Sequence, residues 1–309
     1  MTRIRPHLTE LGIYGSSANL TDTALSGRIV GAFGRQYEVK LQSGESILCF
    51  PRGKKSNLAC GDHVMIERVS PNQGVIAETL PRSSLLYRSD AYREKLIAAN
   101  LTQIIIVVAT EPGFSDQLVS RSLIAAQQQN LRALIALNKV DIVSGLAAAR
   151  AQLMLFKTLG YPIIELSALN SIEPLRDALQ GHTSLFIGQS GMGKSTLING
   201  LIPTALAATR EISSALDSGK HTTTHTRLYP LNETSALIDS PGLQEFGLAH
   251  LTYEEVEQGF IEFKPYLGHC RFRNCRHDKE PDCAITQGVA EGNINPQRLQ
   301  LFLNMRPRS

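Results

Sequence analysis

Residues 188–196 hold the densest chemistry in the chain: Gly188, Gln189, Ser190, Gly191, Met192, Gly193, Lys194, Ser195 and Thr196. The first eight match G-x-x-x-x-G-K-[ST], the pattern of a phosphate-binding loop. Glycines let backbone N–H groups turn inward around phosphate oxygens, and the start of the following helix adds a favourable dipole. In that geometry Lys194 reaches the β- and γ-phosphates and the Ser195 hydroxyl ligates Mg²⁺. A second cluster, Cys270-x4-Cys275-x-His277-x5-Cys283, offers three thiolates and one imidazole within 14 residues. That is a closed tetrahedral set for one structural Zn²⁺; a catalytic zinc more often leaves a position to water. Arg271, Arg273, Arg276 and Lys279 interleave the ligands, which suits contact with RNA or phosphate.

A phosphate loop alone does not choose between ATP and GTP. Asn138, Lys139, Val140 and Asp141 resemble the NKxD motif of GTPases. There the aspartate carboxylate accepts from guanine N1–H and the 2-amino group, and adenine would leave it unpaired. Asn138 is expected to order the loop and contact the base, and the Lys139 stem to pack over the ring. Ser167, Ala168 and Leu169 look like the SA[KL] motif, whose backbone meets the guanine oxygen. Asp239, Ser240, Pro241 and Gly242 resemble DxxG. Asp239 would then hold Mg²⁺ through water, and the Gly242 amide would bind the γ-phosphate. In the segment KHTTTH, any of Thr222, Thr223 and Thr224 fits the switch threonine that covers Mg²⁺. Ordinary small GTPases run phosphate loop, switch threonine, DxxG, NKxD, SA. Here NKVD and SAL come first, which is a circular permutation of one domain. The second switch then leads straight into the C-terminal region, so loss of the γ-phosphate would shift that region directly.

The surrounding pattern supplies elements to position these groups. Each motif follows an apolar run that reads as a strand, LRALIAL, PIIEL, SLFI and SALI, and TQIIIVVAT before them is a continuous apolar strand of the kind covered on both faces. DQLVSRSLIAAQQQ and VSGLAAARAQLMLFKTLG between them read as helices. Alternating strands and helices imply a doubly wound α/β domain over about 86–245. Before it, GRIV, QYEVKL, SILCF and DHVMIERV read as short strands, punctuated by Gly31, Gly34, Ser43-Gly44, Gly61 and Pro71-Asn72. Such spacing fits a small barrel or sandwich over 1–85. With Arg52, Lys54 and Lys55 in one loop, the segment resembles an OB-fold. Residues 246–309 read as a helical stretch (TYEEVEQGFIEF), the Cys/His cluster and a terminal helix (PQRLQLFLNM).

Composition excludes several classes. Hydrophobic residues at 42% place the 309-residue chain among globular proteins rather than disordered ones. No apolar run approaches the ~18 residues of a membrane span. The segment MTRIRPHLTE has neither the apolar core nor the cleavage signal of a secretory leader, so the expected compartment is the cytoplasm. Three of five cysteines crowd into the Cys/His cluster, which there points to metal rather than disulfides. Cys49 and Cys60 are expected to be buried thiols. The net charge is +3, but a mildly acidic centre lies between two basic ends, which suits contact with phosphate backbones. No coiled-coil heptad is visible, so a monomer is expected.

A basic barrel, a permuted GTPase and a Cys3His knuckle, in that order, resemble the ribosome small-subunit-dependent GTPase A (RsgA) family of bacteria. The resemblance covers nearly the whole chain. It implies an α/β circularly permuted P-loop GTPase with an N-terminal OB-fold barrel and a C-terminal zinc-knuckle domain. It also implies GTP hydrolysis stimulated by the 30S subunit, in late maturation of that subunit. The barrel and zinc domain would grip 16S rRNA, with GTP favouring docking and hydrolysis favouring release. The residue after Gly242 is Leu243, where many GTPases carry a water-orienting glutamine, and Gln244 comes one position late. His221 is the first candidate to position the attacking water and His225 the second; Lys194 is the other catalytic candidate. Two other readings are an ATP-dependent P-loop enzyme, against which NKVD stands, and an RNA-binding module with a vestigial nucleotide site, against which intact Lys194, Ser195 and Asp239 stand.

Overall fold

The computed structural model describes residues 24–53, 57–89, 94–203, 225–240, 248 and 251–307. Its first five strands are β1 (Ala24–Phe33), β2 (Gln36–Leu41), β3 (Ser46–Pro51), β4 (His63–Ser70) and β5 (Gln73–Thr79). Alternate residues point inward: Tyr37, Val39 and Leu41 on β2, Ile47 and Cys49 on β3, Val64 and Ile66 on β4. The order β1-β2-β3-β5-β4 closes because β1 also pairs with β4, giving a five-stranded barrel. Gly31, expected as a turn, instead lies inside β1, where the register to β2 shifts between Ile29 and Gly31. A side chain there would meet the Phe33 ring at 2.7 Å, so glycine serves a bulge that bends one long strand between two partners.

A second sheet follows the pattern of apolar runs. Its strands are β8 (Gln103–Ala109), β9 (Arg132–Asn138), β10 (Ile163–Glu165), β11 (Thr183–Ile187), β12 (Thr226–Pro230) and β13 (Ala236–Asp239). The order is β10-β9-β8-β11-β13-β12, parallel except for the antiparallel β12. All seven residues of β8 are buried, as expected of a central strand covered on both faces. Helices α1 (Asp116–Gln128), α2 (Val143–Lys157), α3 (Glu173–Ala178) and α4 (Lys194–Leu201) make the crossovers. A hairpin, β6 (Leu85–Ser89) with β7 (Glu94–Ala99), joins barrel to sheet and was not anticipated. Its Ala99 N–H donates to the Cys60 carbonyl. Strand β12 pairs with β1 as well, Gly31 opposite Arg227 and Ala32 opposite Thr226, so barrel and sheet share one continuous ladder. Cys49 and Cys60 are fully buried, as expected.

The C-terminal region begins with α5 (Tyr253–Gln258), closed at its start by a capping box between Thr252 and Glu255. The helix expected to run on through IEF instead breaks at Gly259 and resumes as a 3-10 turn, Ile261–Tyr266. Gly259 lies against Ile124 of α1, where a Cβ would come within 2.7 Å, and the break turns Phe260 and Phe263 into the core. Helices α6 (Ala284–Ala290) and α7 (Pro296–Met305) complete it. Phe302 of α7 packs edge-on to Tyr253, Phe260 and Phe263. Beside them the buried Arg298 guanidinium bonds Glu262 at 2.5 Å and Ser120 Oγ at 2.8 Å, and lies over the Phe260 ring. Among the described residues no helix is long and apolar enough to cross a membrane.

Removing one partner of the Arg298–Glu262 pair strands a charge out of water. Glu262→Ala is expected to lower unfolding free energy by about 3–5 kcal/mol, measured by urea titration. The double variant Glu262→Leu/Arg298→Met should recover most of that loss.

Candidate functional site

Five loops leave the carboxyl edge of the parallel strands, after β8, β9, β10, β11 and β13. That is where open α/β sheets collect ligands. The loop after β11 carries Gly188 to Ser195 and runs into α4, whose N-cap Gly193 is left-handed at φ 90°. Gly191 is left-handed too, at φ 82°. A Cβ on Gly193 would sit 2.3 Å from Asn138 Nδ2, so close approach as well as conformation requires glycine there. Lys194 Nζ folds back to the carbonyls of Gly188 at 2.5 Å and Gln189 at 2.8 Å. Ser190, Ser195 and Thr196 are exposed. The Gln189 side chain points elsewhere: its Oε1 accepts from Ser115 N–H at the start of α1. Met192 is buried.

Asn138, at the end of β9, is buried and uses both ends of its amide. Nδ2 donates to the Met192 carbonyl at 2.9 Å, and Oδ1 accepts from Ala168 N–H at 3.0 Å. One side chain therefore ties the phosphate loop to the SAL loop. Lys139 is left-handed at φ 62°, and its Nζ donates to the Glu111 carbonyl. Its own carbonyl accepts from Thr110 Oγ1 at 2.8 Å. Val140 N–H donates to Leu166 O, drawing the loops after β9 and β10 together. The Asp141 side chain is exposed and bonds to no described residue, and Leu169 of the SAL loop is exposed too. Ser167 is buried, with Oγ accepting from Leu169 N–H.

Asp239 ends β13 next to the phosphate loop. Burial pushes its carboxyl above the usual value, against the opposing pull of Lys194. Burial likewise draws the Lys194 ammonium down, against Asp239. The two charges thus sit close enough in a dry place to feel each other, as phosphate and cation chemistry needs. His221, Thr222, Thr223, Thr224, Gly242, Leu243 and Gln244 lie outside the described residues, as do Lys54 and Lys55. His225, at the start of β12, stands edge-on to Phe33 of the barrel at 5.1 Å. The loop 110–112 was not singled out in the sequence. Its only signal was a Thr-Glu-Pro turn following an apolar strand.

Cys270, Cys275, His277 and Cys283 converge, their ligand atoms all within 4.8 Å of one another. A tetrahedral ion with bonds of about 2.3 Å to sulfur places its sulfurs about 3.8 Å apart. Cys270 Sγ and Cys283 Sγ are 3.8 Å apart, and His277 Nδ1 lies 3.6 and 3.3 Å from them. The cluster fits such an ion, with Nδ1 as the nitrogen ligand. The other ring nitrogen, Nε2, is 2.6 Å from Glu257 Oε1 on α5. That carboxylate orients the imidazole, and no local pattern points to it because 20 residues separate the pair. Of the interleaved cations, Arg276 covers the Tyr253 ring at 4.4 Å and Arg271 pairs with Asp282. Arg273 and Lys279 are exposed.

Two outcomes follow from this geometry. Asn138→Ala should weaken guanine-nucleotide binding roughly 10- to 100-fold, since both loops lose a buried partner, read by fluorescent-nucleotide titration. Glu257→Ala should weaken zinc retention roughly 10- to 100-fold in competition with a chromophoric chelator.

A family model described as RsgA GTPase matches residues 79–249. The small ribosomal subunit biogenesis GTPase RsgA of Burkholderia pseudomallei K96243 is 53% identical over 284 residues, covering 90% of each chain. The protein of the same name from Nitrosospira multiformis is 50% identical, covering 92% of this chain and 91% of its own. Among solved structures, YjeQ from Thermotoga maritima aligns with TM-score 0.71 and 28% identity, covering 91% of this chain and 97% of that one. YloQ, described as a circularly permuted GTPase, aligns with TM-score 0.67 and 24% identity, covering 94% and 99%, and shares the fold. With its phosphate loop, its clamped NKVD loop and its permuted strand order, this chain belongs to the RsgA GTPase family.

Proposed function

We propose that this chain hydrolyses GTP to GDP and phosphate on the 30S ribosomal subunit, which stimulates the reaction, during late maturation of that subunit. Membership of the RsgA GTPase family carries this reading, and the names of its relatives supply the partner. Asp141, free and exposed beside the Asn138 clamp, would read guanine. The backbone of residues 188–196 and Lys194 would hold the phosphates. Ser195, one of Thr222, Thr223 and Thr224, and Asp239 through water would hold Mg²⁺, which neutralises charge on the β- and γ-phosphates. The Gly242 amide would report the γ-phosphate. With Leu243 in the position after it, His221 is assigned to orient the attacking water. Zn²⁺ would close the Cys3His set.

The work divides among an RNA-binding barrel in 1–85, the GTPase in 86–245 and the zinc-bearing region in 246–309. Barrel and zinc region would grip 16S rRNA, GTP favouring docking and hydrolysis favouring release. The chain would act as a cytoplasmic monomer.

Turnover of GTP and ATP by the purified protein, each with and without 30S subunits, tests the reading. GTP-specific turnover strongly raised by 30S is expected. Equal use of ATP would remove the guanine assignment, and indifference to 30S would remove the ribosomal one. His221→Ala should cut stimulated turnover roughly 100-fold while leaving GTP affinity nearly intact.

A further inference from the structure

A cleft of about 410 Å³ lies between the barrel and the sheet, away from the nucleotide loops. It opens beside Thr183, the first residue of β11, whereas the phosphate loop follows the last. Four residue steps at ~3.3 Å put roughly 13 Å of buried strand between the two. Its barrel wall carries an unusual row. Arg28 on β1 stands directly opposite Lys40 on β2 and directly opposite His63 on β4. All three side chains line the cleft. Directly opposed residues sit about 5 Å apart, so the row spans roughly 10 Å across three strands.

Like charges placed directly opposite on a sheet repel and destabilise it, and Arg28 and Lys40 are such a pair. Here none of the three forms an ion pair with any described residue. Arg28 is half-buried, and its guanidinium makes only long bonds to the Gly61 carbonyl and Thr183 Oγ1, at 3.4 and 3.3 Å. Burial lowers its pKa, as it does for His63, which Arg28 lowers further. The acids nearby are otherwise placed: Asp62 is bound to Arg82, Glu38 to Arg227, and Glu233 stands exposed on the opposite wall in the turn between β12 and β13. Thr183 and Asn232 add neutral polar groups to the lining. A volume of this size accepts a small ligand rather than a single ion.

We propose that this cleft binds a compact anion carrying two or more phosphate groups, at a site separate from the nucleotide loops. One phosphate meets the Arg28 guanidinium fork, and its neighbour meets Lys40, with His63 completing the row. A ligand so held ties β1, β2 and β4 to the β12–β13 turn.

Inorganic tripolyphosphate is the probe, added to full-length protein already saturated with GDP and Mg²⁺ so that the phosphate loop is occupied. Calorimetry and the His63 imidazole resonances are the readouts. One-to-one saturable binding with movement of the His63 signal is expected. Lys40→Ala and Arg28→Gln should each weaken it roughly tenfold, and Glu233→Gln should tighten it. Absence of saturable binding to the GDP-saturated protein would overturn the proposal, as would unchanged affinity in Lys40→Ala, an exposed position whose loss leaves the barrel core intact. A parallel titration with oligouridylate separates sources. If its binding depends on Lys40 while tripolyphosphate does not bind, the row contacts an RNA backbone and the small-anion site is refuted.

Discussion

Two loops depend on the amide of Asn138. Its donor end holds the Met192 carbonyl of the phosphate loop, and its acceptor end holds the Ala168 amide of the SAL loop. The side chain is buried, so neither contact competes with water, and loss of either would leave an unpaired polar group in a dry place. The residue that opens NKVD thus sets the distance between the 188–195 loop and the SAL loop. Gly193 has no Cβ because that same amide occupies the space.

Around this clamp the permuted connectivity sends each flank of the nucleotide site outward to a different partner. Strand β12, which begins where the threonine segment ends, is hydrogen-bonded to β1 of the barrel. Arg227 and His225 reinforce the join through Glu38 and Phe33. Strand β13 ends in Asp239, and the chain after it reaches α5, where Glu257 holds the imidazole of the Cys3His cluster. A change in either flank therefore has a covalent and hydrogen-bonded route to one end of the molecule. Packed elements of this kind transmit displacement because their interiors are dense and do not deform continuously.

The C-terminal region holds its place by polar as well as apolar contacts. The Phe260, Phe263 and Phe302 cluster supplies buried area, while Arg298 reaches across to Ser120 of α1 and Glu262. Gln297 adds a bond to Asp116 at 2.5 Å. These contacts seat the helices around the Cys3His cluster on α1 of the GTPase domain.

Much of this was legible in the residues. The phosphate loop, NKVD, SAL and DSP are contiguous motifs, and their order alone specified the permutation. The ligands of the cluster lie within one short segment, and continuous apolar runs named the central strands because burial on both faces leaves no alternation to confuse them. What the sequence could not settle depends on partners far apart in the chain. The break at Gly259 lies where Ile124, far back in the chain on α1, crowds that backbone. The Glu257–His277 bond, the β1–β12 ladder and the row of Arg28, Lys40 and His63 each bring together groups from separate elements. Strand register, not local pattern, decides which side chains stand opposite one another, and register exists only once the sheet has formed.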